Sequence, residues 1–137
     1  MESHLIFNSL QLETLKSLAN RIVPQDDTPG AWESGAESFL TRFFTKDLTS
    51  LETCSNGLNN LENESIFRSN SSFHLMQEAR QDALLKDIER GEIETSWRSS
   101  PVAFFTMMVN LISEGYYANP EQGGNSGGTS WAMIGFK

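Results

Sequence analysis

Ser100-Pro-Val-Ala-Phe-Phe-Thr-Met-Met-Val-Asn-Leu-Ile-Ser-Glu-Gly-Tyr-Tyr117 is the most apolar stretch of the chain. Its first two residues are a helix-start signal. A serine hydroxyl can accept from the free N–H groups of a first turn, and proline is tolerated there because its missing N–H would have no partner. From Val102 to Tyr117, the residues Phe104, Phe105, Met107, Met108, Val109, Leu111 and Ile112 cover more than one side of a 3.6-residue period. A helix that is apolar on several sides belongs at the centre of a bundle.

Working outward, other segments supply helices to surround it. Asn8 followed by Gln11 has the spacing of a capping box, after which Leu12, Leu15, Leu18 and Ile22 recur at helical intervals until Pro24. The run Gln25-Asp-Asp-Thr-Pro-Gly-Ala31 is dense in turn formers. Thr28 as cap with Pro29 in the first position predicts a second helix, with Ala36, Phe39, Leu40, Phe43 and Phe44 on one side. From Asp47, the leucines at 48, 51, 58 and 61 predict a third, weaker helix diluted by Gly57 and several asparagines. Residues 68 to 72 read as a loop. A fourth helix is expected from about Gln77 to Arg90, with Ala83, Leu84 and Ile88 inward and Gly91 placed to end it. No segment keeps the period of a strand for long. The fold class is therefore all-α: one domain over residues 1–137, a bundle of about five helices with an irregular C-terminal segment at 118–137, packed on the bundle or on a partner.

Composition narrows the function classes. At 137 residues the chain can bury a core without staples. Its formal net charge of -8 argues against nucleic acid and anionic membranes, both of which favour a basic face. The charge is spread over residues 1 to 100, while 101 to 137 carry only Glu114, Glu121 and Lys137. Cys54 is alone, so no internal disulfide, cysteine zinc site or c-type haem attachment can form. No apolar run approaches a membrane span, so direct membrane insertion is not expected. The N-terminus shows neither a basic region nor twin arginines. The expected compartment is periplasmic if an export signal was removed or is supplied elsewhere, and cytoplasmic if residue 1 is the natural start.

Sites of chemistry are hard to assemble. Gly123-Gly-Asn-Ser-Gly-Gly128 invites a nucleotide reading, but Asn125 stands where a dinucleotide fingerprint needs glycine and Thr129 where a P-loop needs lysine. His4 and His74 have no companions at ligand spacing, and no nucleophile elbow occurs. Glu62 and Glu64, like Glu89, Glu92 and Glu94, read as solvated charges with nothing apolar nearby to raise a pKa. Met107 and Met108 read as core filling. No catalytic, cofactor-binding or metal-binding residue is expected in this chain.

Residues 114–137 hold both tyrosines and Trp131 in a glycine-rich, nearly uncharged run. A spare tail would lack aromatics, because it could not offset its ordering entropy. Glu114, Gly115, Tyr116, Tyr117, Pro120, Glu121, Gly123, Gly124, Asn125, Trp131, Gly135 and Phe136 stand in the order in which members of the gluconate 2-dehydrogenase subunit 3 family end. Thr14 to Pro24, Asp27-Thr-Pro-Gly-Ala31 with Gly35, and Phe73 to Leu85 also resemble that family, whereas Asp47 to Ser72 shows little of it.

The resemblance implies a small, non-catalytic subunit that binds and stabilises a large FAD-dependent dehydrogenase subunit of the glucose-methanol-choline type, acting on a sugar or sugar acid. It implies FAD in that partner, none in this chain, and a multihaem cytochrome c subunit as electron acceptor. The candidate partner interface comprises the turn residues Thr28, Pro29 and Gly30. It continues with Tyr117, Pro120, Gly123, Gly124, Asn125, Trp131, Gly135 and Phe136 of the tail. Glycine lets backbone approach closely, and Tyr and Trp are enriched at interface centres. For Trp131 a role in sealing the protein's own bundle stands equally open, and for Tyr116 it is ahead. A second function class also stands: a soluble helical module binding a small ligand such as a saccharide, with Tyr117 and Trp131 as stacking surfaces.

Overall fold

Asn8 and Gln11 form both halves of the capping box. The Gln11 N–H donates to Asn8 Oδ1 at 2.7 Å and the Asn8 N–H to Gln11 Oε1 at 2.9 Å. They open helix α1, Ser9–Ile22, which buries Leu15, Leu18, Ala19 and Ile22. This computed structural model describes residues 6–24 and 30–117, and all statements below concern those residues. Helix α2 spans Glu37–Lys46, α3 Leu48–Ser69, α4 Glu78–Glu89 and α5 Pro101–Tyr117. Among the described residues the protein is all-α and has no strand.

Two glycines shape this arrangement. The second helix was expected to start near Pro29, but a π turn over Trp32–Ala36 precedes it and α2 proper begins at Glu37. Gly35 has φ +101°, a conformation that costs a side-chain-bearing residue roughly 1–2 kcal/mol and interrupts the α-helical ladder. Gly57 lies where α3 meets α5, and a Cβ there would sit inside the Phe104 ring. The glycine that dilutes α3 in the sequence is therefore what lets the two helices approach closely.

Helix α5 is central, as its composition predicts. It touches α1, α2, α3, α4 and the π turn, and buries Phe104, Met108, Val109, Leu111, Ile112 and Tyr116. The Ala103 N–H donates to Ser100 Oγ at 3.0 Å, the expected start signal. Leu40 and Phe44 of α2 are buried, with Phe39 and Phe43 packed against the same core. Phe7 meets Phe44 edge to face with centroids 6.0 Å apart.

Three other expectations are corrected. Helix α3 is the longest described helix at 22 residues and runs two residues into the segment read as a loop, stopping where Asn70 adopts φ +60°; residues 70–72 are non-helical as expected. Leu48, placed in its apolar pattern, is 69% exposed. On α4 the buried stripe is Gln81, Leu84, Leu85 and Ile88, at helical spacing that leaves Ala83 on the exposed side. That helix does end just before Gly91, which has φ +77°.

Candidate functional site

The most concentrated polar chemistry lies along α3. Its inner side carries two carboxylates, Glu62 and Glu64, that are buried and not solvated as the sequence suggested. Each is buried because several donors converge on it, which offsets the cost of removing charge from water.

Glu64 fastens the segment between α4 and α5. Its Oε2 accepts from the Arg68 Nε–H at 2.9 Å and the Glu94 N–H at 2.6 Å. Its Oε1 accepts from the Thr95 N–H at 3.2 Å, the Thr95 hydroxyl and the Trp97 Nε1–H at 3.0 Å. Burial pushes this carboxyl up, but the bonds from Thr95, Trp97, Glu94 and Arg68 outweigh it and hold the pKa at about 2, from an ordinary 4.5. The Trp97 indole then leans on Phe104, 6.1 Å between centroids. Arg68 extends the network, donating to Asp87 Oδ2 on α4 at 2.8 Å and to the Glu92 carbonyl at 2.9 Å. Burial acts to lower the Arg68 pKa, but Asp87 and Glu64 raise it above its ordinary value.

Glu62 works on the other loop, accepting from the Ser72 hydroxyl and from the Phe73 N–H at 3.1 Å. Gln81 completes that corner by donating to the Phe73 carbonyl at 2.6 Å. Both carboxylates are occupied in holding loops, and Glu64, whose pKa is held low, is a poor base. Cys54, also on the inner side of α3, is fully buried; burial pushes its thiol up, away from the thiolate that reacts. Among the described residues no group of three or more His, Cys, Asp or Glu could hold a metal ion.

The outer side of α3 has a different composition. Glu52, Asn56, Asn59, Asn63, Ile66 with Phe67, and Asn70 recur every three or four residues and so line one face. Asn59 and Asn63 are exposed, Asn56 is half-buried, and Phe67 is 64% exposed. Asn59 also accepts from the Gln11 side-chain amide of α1 at 3.2 Å. Of the charged residues on α3, Glu62 and Glu64 are buried and Arg68 is half-buried and tied to Glu64, so Glu52 is the one exposed charge. Asparagine costs a helix up to about 0.7 kcal/mol relative to alanine, so three in a row on the outer face do not serve helix formation.

Of the residues singled out in the sequence, Gly30 and Tyr117 lie among those described. Gly30 is buried, and its carbonyl accepts from the Ser34 N–H at 3.1 Å while Ala31 donates to the Val23 carbonyl at 3.0 Å. Tyr117 is half-buried beside the fully buried Tyr116, ring centroids 5.1 Å apart. Thr28, Pro29, Pro120, Gly123, Gly124, Asn125, Trp131, Gly135 and Phe136 lie outside the described residues. The α3 face was not singled out. Its one signal in the sequence was the spacing of Asn56, Asn59 and Asn63, which reads equally well as a helix weakened by poor formers.

What the fold and the side chains of α3 define is a small helical body whose buried charge is structural. The chain belongs to the gluconate 2-dehydrogenase subunit 3 family, whose model matches residues 9–137. That span takes in all five helices as well as the C-terminal pattern. No curated protein and no solved structure shows significant similarity to it. The family is one of subunits of a dehydrogenase complex, and no described helix is long and apolar enough to cross a membrane.

Proposed function

We propose that this chain is a non-catalytic accessory subunit that binds and stabilises a large FAD-dependent dehydrogenase subunit of the glucose-methanol-choline type, acting on a sugar or sugar acid. The observation that carries this reading is the family match running through nearly the whole chain. The chemistry of α3 is consistent with it: the buried carboxylates hold loops, so the residues with the strongest electrostatics serve the subunit's own shape. FAD then belongs to the partner, a multihaem cytochrome c subunit receives the electrons, and the assembled complex works in the periplasm. A subunit that binds only the folded partner shifts the partner's folding equilibrium by mass action, with no reaction of its own.

Co-expression of the full chain, tagged, with the flavoprotein encoded nearest its gene tests this. The expected product is a yellow complex whose flavoprotein melts at a higher temperature than when made alone. A colourless chain that never retains the flavoprotein, with the flavoprotein equally stable by itself, would contradict the proposal.

A further inference from the structure

We infer that the outer face of α3, from Glu52 through Asn56, Asn59 and Asn63 to Phe67, is the surface on which the flavoprotein subunit docks. The inference rests on the accessory-subunit reading above and adds the place of contact, on a helix in the segment of the sequence that least resembles the family.

Charge carries the argument. The chain has a net charge of -8, and solvent-facing helices in such a protein normally carry it. Helix α4 does so, exposing Glu78, Arg80, Lys86 and Glu89. The face of α3 instead pairs one exposed charge with primary amides and two large exposed apolar side chains, Ile66 at 45% and Phe67 at 64%. Depletion of charge around an exposed aromatic is the composition of an interface centre. Helix α5 also shows few charges, but most of its outward residues, among them Ala103, Thr106 and Asn110, are small or polar, and the side chains typical of interface anchors are Trp, Tyr and Arg, with Phe also enriched.

The face also indicates what covers it. A helix of 22 residues spans roughly 33 Å and is about 10 Å across. That strip is of the order of 350 Å² in projection, against about 800 Å² per partner for a stable standard interface. Two copies meeting through it would bury too little and would bring together two bodies of charge -8. A much larger protein can seat the strip and reach past its edges. The fitting partner surface is neutral, with carbonyl and amide groups to pair with the asparagines and an apolar hollow for Phe67. A lipid surface fits poorly, because the asparagines would lose their hydration without partners.

The test uses the full chain co-expressed with the flavoprotein, in variants Asn63→Lys, Asn63→Glu and Phe67→Lys. Controls are Ala83→Lys on the exposed side of α4 and Thr106→Lys on α5. Position 63 is exposed and both replacements are better helix formers than asparagine, so melting of the free chain is expected to stay unchanged. A charge of either sign forced into a desolvated contact should cut the retained flavoprotein about tenfold or more, with the controls behaving as wild type. Three results would overturn the inference. Variants on α3 that retain the flavoprotein like wild type remove this face and leave the accessory role standing, as does a loss confined to Thr106→Lys. A wild-type chain that is a dimer alone, and that Asn63→Lys splits, gives the face to a second copy. A wild-type chain that retains no flavoprotein removes the accessory role and the docking surface together.

Discussion

Helices α3 and α5 cross at Gly57 and Phe104, yet they are held in place by opposite means. Helix α5 is buried by its apolar side chains and lies against α1, α2, α3 and α4. Helix α3 buries carboxylates as well, Glu62 with donors from the loop that follows the helix and Glu64 with donors from a segment some thirty residues away in sequence. The difference teaches that a central position can come from non-directional apolar burial or from a directional polar network. Only the second fixes the course of loops residue by residue.

The largest effect expected from breaking this contrast is at Glu64. Glu64→Ala leaves Arg68 short of a partner and the N–H groups of Glu94, Thr95 and Trp97 without their acceptor. The expected loss is about 3–5 kcal/mol, read from urea unfolding. The same residue sets a pH dependence. Folding lowers its pKa from 4.5 to about 2, so its stabilisation is complete above the unfolded value and is lost as pH falls from 4.5 towards 2. Glu64→Gln should therefore flatten the acid limb of stability in that window. An unchanged acid limb would mean that the network does not hold the charged form.

A smaller effect is expected at the crossing itself. Gly57→Ala puts a methyl group into the Phe104 ring and should cost about 1–3 kcal/mol, the usual range for overpacking. Adding Phe104→Leu should return part of that loss in a double-mutant cycle, whereas strict additivity would show that the two positions do not press on each other.

The same contrast explains how much was legible in the sequence. Helix α5 was readable because hydrophobic periodicity reports apolar burial directly, and the α1 capping box because its two partners are three residues apart. The existence of α3 was readable from Leu58 and Leu61, but its strength was not. Gly57 and the asparagines lower local propensity, while the contacts that favour α3 come from Arg68 reaching Asp87 and from Trp97 reaching back to Glu64. Glu64 looked solvated because none of those partners except Arg68 is near it in the chain. Ala83 was assigned inward because a small apolar residue gives little signal of direction; the positions at 81, 84, 85 and 88 decide the face. The turn at Gly35 hides in the sequence because an isolated glycine does not announce the sign of its φ.

Hydrogen–deuterium exchange of the free chain and of its complex with the flavoprotein tests the docking face most directly. The account predicts that added protection on complex formation is strongest in peptides from residues 52 to 70 and that α4 peptides exchange alike in both. Protection concentrated in α4, with α3 unchanged, would contradict it.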